Sequence, residues 1–224
     1  MADYPASALA LSLAELRQNY IRGVLDEASV DSNPIAQFKT WFWEAQQAGL
    51  PEPNAMTLAT STSDGYCTAR IVLLKELDEN GFVFYTNYES RKGRDLTENP
   101  HAALVFYWAE LERQVRIEGH VDRVPRQQSE AYFKSRPRGS RLGAWVSHQS
   151  EVIQSRKMLE ARLRDLETRY AGTDEIPVPD YWGGFRVRPH SIEFWQGRPN
   201  RLHDRLRYLR NSEDEQWRIE RLGP

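Results

Sequence analysis

The chain has 224 residues, 40% hydrophobic and 28% charged, with a formal net charge of -2. That balance supports a packed core and excludes a disordered chain, and it leaves no global field to attract nucleic acid or an anionic membrane. No apolar run is long enough to span a bilayer, and a lone cysteine, Cys67, rules out an internal disulfide and a Cys-cluster metal site.

The first residues lack the basic-then-apolar pattern of a secretory signal, so the cytoplasm is the expected location. Residues 1–11 carry no strong pattern and are expected to be mobile. Ser12 and Glu15 have capping-box spacing, and Leu13, Leu16, Tyr20, Ile21 and Val24 follow with helical periodicity. Asn33-Pro34 predicts the start of a second helix, with Ile35, Phe38, Phe42 and Ala45 on one face and Gly49 as its stop. The period then changes. Residues 55–63 and 66–77 read as strands joined at Asp64-Gly65, and residues 82–86 as another after Asn80-Gly81. A short helix is expected over 90–99, strands over 102–108 and 112–124, and a helix over 125–134. The longest helix is expected over 150–170, with Val152, Leu159, Leu163, Leu166 and Tyr170 on one face. In the stretch from Trp182 to Arg205, Phe185 and Val187 alternate with Arg186 and Arg188. Ile192 and Phe194 start a second strand that runs into a turn at Gly197. Final strands are predicted over 206–209 and 216–222. Strands joined by short turns, with helices between groups, predict one domain over 1–224, a mostly antiparallel barrel with flanking helices.

Positive charge is nearly all Arg, so the few lysines can be weighed singly. Arg70 and Lys75 bracket a strand but differ by an odd number, which points them to opposite faces. One ligand meets both only if the strand bends or if two parts of the ligand lie on different sides; otherwise they are two charges flanking a core strand. Ser90-Arg91-Lys92-Gly93 opens a helix, where free N–H groups and cationic side chains together suit a phosphate. Tyr132, Arg136 and Ser140 could hold a second phosphate or form an ordinary polar helix end. The span 182–205 mixes aromatic rings with guanidinium groups, which suits a flat anionic ligand or a solvated edge strand. No two histidines have helical metal-site spacing, and no nucleophile elbow, Walker loop or dinucleotide turn occurs.

Ile192-Glu193-Phe194-Trp195 followed by Arg201-Leu202-His203-Asp204-Arg205 resembles the signature of pyridoxine/pyridoxamine 5'-phosphate oxidases. Arg70 to Lys75, Tyr85-Thr86, Ser90-Arg91-Lys92, Glu112-Arg113-Gln114-Val115, Ser135-Arg136-Pro137, Gly143-Ala144-Trp145-Val146-Ser147 and Trp182-Gly183-Gly184 are similar to that family in its order. The resemblance runs from about residue 16 to the end, apart from the connector 171–180. It implies an FMN-binding split β-barrel, mainly β with flanking helices, working as a homodimer with FMN at the subunit interface. It also implies oxidation of pyridoxine or pyridoxamine 5'-phosphate to pyridoxal 5'-phosphate by oxygen, with release of hydrogen peroxide. Carried over by motif, FMN would be held by Arg70, Ile71, Val72, Leu73, Leu74, Lys75, Tyr85, Thr86, Arg91, Lys92, Gln114, Gln149, Ser150, Trp195 and Arg205. The substrate would meet Arg17, Tyr20, Lys75, Tyr132, Arg136, Ser140 and Leu202. Arg201 and His203 would be the catalytic pair against its ring. No metal, membrane or nucleic-acid partner is implied. The rivals are a flavin reductase, which needs no second phosphate cluster, and a non-enzymatic binder of pyridoxal phosphate, which needs no flavin.

Overall fold

The computed structural model describes residues 19–212 and 214–224. The segment expected to be mobile, the Ser12–Glu15 pair and Arg17 lie outside them. The described end of the first expected helix, with Tyr20, Ile21 and Val24, is not helical. Its backbone is held by side chains from elsewhere: Ile21 and Arg22 donate their N–H groups to Glu112 Oε2 at 2.8 and 2.9 Å. Leu25 N–H donates to Asp204 Oδ2 at 3.1 Å.

Asn33 caps α1 (Pro34–Gln47) by accepting the Ile35 N–H at 2.8 Å, and the chain leaves through Gly49 at φ 69°. Ile35, Phe38 and Ala45 are buried as expected, and Trp41 joins them. Phe38 meets the rings of Phe82 and Phe106 edge-on at 5.0 and 4.9 Å. The hairpins form where the turn residues predict them, β1 (Ala55–Ser61) with β2 (Cys67–Leu73), and β3 (Glu76–Asp78) with β4 (Gly81–Asn87). The expected strand over 66–77 is therefore two, interrupted at Leu74 and Lys75. Ser90 caps α2 (Arg91–Glu98). β5 (His101–Trp108) and β6 (Arg113–Arg123) follow, then α3 (Arg126–Ser135). A helix the sequence did not suggest, α4 (Arg138–Val146), comes next. Gly139, Ser140 and Gly143 mask its weak periodicity, but Arg141, Leu142 and Val146 are buried along it. α5 (Arg156–Arg169) begins later than expected and matches α1 in length. Val152 stands before it, fully exposed, rather than on its packed face.

Residues 182–196 form one strand, β7 (Trp182–Gln196), where two were expected. Its inward phase changes from Phe185 and Val187 to Ile192 and Phe194. An irregularity in its pairing with β6 absorbs the change: Glu118 faces Ser191 while Gly119 faces Pro189, leaving His190 as the extra residue. A Cβ at Gly119 would run into the Arg188 carbonyl, so the close approach requires glycine. β8 (Asp204–Leu209) and β9 (Arg218–Arg221) complete the sheet. Its order is β2-β1-β5-β6-β7-β4-β3, with β8 paired to β7 and β9 to β8, antiparallel throughout. The sheet curls into a half-barrel around the core under α1, and a smaller apolar cluster sits under α3 and α4. No helix among the described residues is long and apolar enough to cross a membrane.

Phe38 has no exposed surface and Trp43 is 59% exposed on the same helix. Phe38→Ala should cost about 3–5 kcal/mol of unfolding free energy, and Trp43→Ala about 0.5 or less, read as midpoint shifts in urea titrations.

Candidate functional site

The interruption after β2 builds the site. Leu74 turns into the core, its N–H donates to the Asn54 carbonyl at 2.8 Å, and Asn54 Nδ2 donates to the Leu74 carbonyl at 3.1 Å. Lys75 then pairs through its N–H with the Val83 carbonyl at 2.9 Å. This bend removes the parity conflict, and Arg70 and Lys75 line one cavity of about 540 Å³. That size is typical of small-molecule sites. Ile71, Val72 and Leu73 line the same wall, whereas the Leu74 side chain does not reach it. Among the described residues β2 pairs only with β1, so its outer edge offers backbone N–H and C=O groups.

Two groups of cations face this cavity. In the first, Arg70 donates through Nη1 to Thr60 Oγ1 at 2.8 Å and to the Leu58 carbonyl at 3.2 Å. Its Nη2 donates to Thr68 Oγ1. Lys92 Nζ donates to Gln149 Oε1 at 2.7 Å and to Thr86 Oγ1 and Ser90 Oγ at 3.3 Å. Burial, and next the nearby Arg70 charge, push the Lys92 ammonium down to about 8. Arg91 and Ser150 lie beside this group, the Arg91 N–H donating to Ser150 Oγ at 3.2 Å, and neither lines the cavity.

The second group is Lys75, Tyr132, Arg136 and Ser140. The Arg136 guanidinium lies over the Trp182 ring at 4.8 Å, and its buried Nη1 has no hydrogen-bond partner among the described residues. Burial pulls its pKa down. A buried guanidinium N–H left unpaired is costly until an anion accepts it. Tyr132 stacks on Tyr85 at 4.0 Å between centroids, and Tyr85 stacks on Trp182 at 5.5 Å. Tyr85 OH donates to Glu76 Oε1 and Gln128 Nε2 to Glu76 Oε2, both at 2.5 Å. Burial and the Glu76 carboxylate raise the Tyr85 phenol. Sequence reasoning missed Glu76 and Gln128, which touch the cavity only through Tyr85. The sequence places Trp182 in an aromatic motif suited to stacking but assigns it no contact. The aromatic character of that motif was the one available signal.

The remaining candidates form a separate cluster that does not line the cavity. Gln114, Trp195 and Arg205 sit in register across β6, β7 and β8. Tyr20 packs edge-on against Trp195 and His203, each at 5.7 Å, and Trp195 lies 4.7 Å from His203. A Cβ at Gly197 would strike the Tyr20 ring. His203 Nδ1 accepts the Arg198 N–H at 3.1 Å, so the neutral ring carries its proton on Nε2. Burial, and next the Arg201 charge, lower its pKa. Arg201 and Asn200 both have left-handed backbone, φ 62° and 57°, a costly arrangement for consecutive non-glycine residues. Leu202 is exposed. Arg205 Nε and Nη2 clasp the Glu193 carboxylate at 2.8 and 3.1 Å.

The family profile described as pyridoxamine 5'-phosphate oxidase matches residues 42–170. One described as the pyridoxine 5'-phosphate oxidase C-terminal dimerisation region matches residues 182–224. The chain is 59% identical over 213 residues to the pyridoxine/pyridoxamine 5'-phosphate oxidase of Paraburkholderia phytofirmans, covering 95% of this chain and 99% of that one. It is 60% identical over 212 residues to the oxidase of the same name from Salinibacter ruber, with the same shares covered. Among solved structures, PhzG of Burkholderia lata 383, in complex with tetrahydrophenazine-1-carboxylic acid, superposes with a TM-score of 0.83 at 34% identity, over 90% of this chain and 98% of that one. An FMN-binding protein of Nostoc punctiforme, related to pyridoxamine 5'-phosphate oxidase, has a TM-score of 0.67 at 18% identity, over 84% and 97%, and shares the fold.

The Lys92 shift carries a sign. With its pKa lowered to about 8 by burial and by the Arg70 charge, Lys92 loses its positive charge as the pH rises through that region. A phosphate monoester is already a dianion above pH 7, so the ligand's charge stays constant. Affinity for such a dianion at the Arg70–Lys92 group should fall by about tenfold per pH unit above 8. Calorimetric titrations at pH 7 and pH 9 measure it.

Proposed function

The chain belongs to the pyridoxine/pyridoxamine 5'-phosphate oxidase family and is an oxidoreductase, and from that premise we propose that it uses FMN to oxidise pyridoxine 5'-phosphate and pyridoxamine 5'-phosphate to pyridoxal 5'-phosphate. The observation that carries the proposal is one cavity faced by two cationic groups, Arg70 with Lys92 and Lys75 with Arg136. A reaction between two phosphorylated molecules needs two such holds. The residues present fit FMN: among the described residues no carboxylate lines the cavity beside Arg70 and Lys92, and the β2 edge offers polar backbone to a heterocycle. FMN, when bound, supplies a two-electron acceptor and passes the pair to oxygen, which leaves as hydrogen peroxide.

The protein's own work is positioning. Arg70 and Lys92, with Thr86, Gln149, Arg91 and Ser150, are assigned to the cofactor phosphate, and Ile71, Val72, Leu73 and Tyr85 to its ring system. Leu74 supports that wall from the core side. Lys75, Tyr132, Arg136 and Ser140 are assigned to the substrate phosphate. The Gln114–Trp195–Arg205 row and the Arg201-Leu202-His203 turn lie in a different place on the same chain. We assign them to the cavity of a second copy in a homodimer, a reading supported by the dimerisation region matched over residues 182–224. In that arrangement His203 presents Nε2–H to the substrate ring, and Arg201 holds its anionic edge. Tyr20, packed on Trp195 and His203, belongs to the closing segment, as does Arg17 by resemblance. With the amine substrate, water hydrolyses the oxidised C4' carbon and ammonia leaves. A cytoplasmic location is part of the same proposal, supported by the exposed free thiol of Cys67.

The likeness to PhzG, solved with tetrahydrophenazine-1-carboxylic acid, supports a second reading, oxidation of a partly reduced polycyclic carboxylate. The Lys75, Tyr132, Arg136 and Ser140 set, with its unpaired guanidinium N–H, matches the three acceptor oxygens of a phosphate better than a carboxylate.

FMN-loaded, desalted protein should release peroxide and form pyridoxal 5'-phosphate from pyridoxamine 5'-phosphate. No product, with oxidation of tetrahydrophenazine-1-carboxylic acid instead, would replace the first reading with the second. Arg136→Ala should lower kcat/KM about tenfold to a hundredfold, mostly through KM, since a remote phosphate contact is made in ground and transition states alike. Its FMN dissociation constant should stay near that of the unsubstituted protein. Sedimentation should give a dimer, and an active monomer would refute the shared site.

A further inference from the structure

Asp95 on α2 is a buried acid that the proposed reaction leaves without a role. It is 4% exposed and does not line the cavity. Its Oδ2 accepts from Thr60 Oγ1 at 2.7 Å and from Thr68 Oγ1 at 3.2 Å. These two threonines face each other across β1 and β2. Both also accept from Arg70, Thr60 from Nη1 at 2.8 Å and Thr68 from Nη2.

A hydroxyl has one proton to donate. An ionised carboxylate only accepts, so each threonine directs its proton to Asp95 and turns a lone pair toward Arg70. The carboxylate thereby fixes the direction of two hydroxyls, and these fix the guanidinium. Lys92 lies three residues before Asp95 on the same helix face, so one short helix carries both an anchor for Arg70 and the second cation. Burial disfavours the charged forms of Arg70 and Lys92, and the Asp95 charge opposes that effect at both.

We infer that Asp95 is a positioning residue for the cofactor phosphate: acting through Thr60 and Thr68, it aims the Arg70 guanidinium into the cavity beside Lys92. The inference rests on the assignment of FMN to this end of the cavity. It has a sign that simple charge does not share. Removing a negative charge beside an anion site should tighten anion binding. Removing the acceptor that orients Arg70 should weaken it.

FMN affinity, read by quenching of flavin fluorescence on titration with FMN-free protein, tests this. Asp95→Ala should weaken FMN binding about tenfold. Asp95→Asn should bind at least as tightly as the unsubstituted protein, because its amide oxygen can still accept both threonine protons while the charge is gone. Thr68→Val, which keeps side-chain size and leaves Asp95 in place, should weaken binding severalfold with an unchanged melting temperature for the FMN-free protein. It decides the matter if Asp95→Ala fails to fold. In an Arg70→Ala background, Asp95→Ala or Thr68→Val should cost no further FMN affinity, a coupling that a purely structural role would not produce. Asp95→Ala and Asp95→Asn binding equally tightly, or effects that add to that of Arg70→Ala, would overturn the inference alone. An unsubstituted protein that takes up no FMN would overturn the cofactor assignment and the inference with it.

Discussion

β7 hydrogen-bonds to three strands, and the placement of everything else follows from that. Its first half pairs with β4, its second half with β8, and both halves with β6. A straight strand could not serve a curled sheet and keep its apolar residues inward along fifteen positions. The extra residue at His190 solves this by shifting the phase once, so that Val187 and Ile192 both reach the core. The shift also separates two chemical districts. Trp182, at the start of the strand, backs the cavity and carries Arg136. Trp195, near its end, carries Tyr20 and His203. One strand thus supplies the aromatic floor for both groups of candidate site residues.

The cavity concentrates cations in partly dry surroundings, which is electrostatically unfavourable while no anion is present. Lys92 shows the strain most directly, through its lowered pKa beside Arg70. Neutral acceptors carry much of the load: threonine hydroxyls, a glutamine carbonyl and a backbone carbonyl take the N–H groups. Carboxylates stay behind the wall, Glu76 one residue back behind Tyr85, and Asp95 two residues back, behind the Thr60 and Thr68 hydroxyls that hold Arg70. The arrangement orients the cations without neutralising them at the surface where a phosphate would sit.

Local chemistry was the legible part. Asn33-Pro34, Asp64-Gly65, Asn80-Gly81 and Ser90 each mark a boundary through a cap or a turn, and each boundary lies there in the structure. What was hidden depends on partners far along the chain. The bend that brings Arg70 and Lys75 to one cavity is pinned by Asn54, and no spacing rule within residues 70–75 contains it. β7 reads as two strands because its phase change is meaningful only opposite Gly119. α4 is hidden by glycines whose helical state is decided by the burial of Leu142 and Val146. The site motifs were recognisable as a set, yet their division between a cavity and a separate Trp195–His203 cluster follows from sheet order alone.

The segment leading to α1 is gripped by its backbone. Glu112 and Asp204 take its N–H groups, while Arg198 and Arg221 donate to the carbonyls of Gly23 and Leu25 at 3.0 and 3.1 Å. Its side chains at Ile21 and Val24 point away, 77% and 67% exposed. Grip and outward face are therefore chemically independent. Substitution at 21 or 24 rewrites what this strip presents, to solvent or to a second copy, without removing the backbone hydrogen bonds that hold it, while Tyr20 keeps its seat on Gly197.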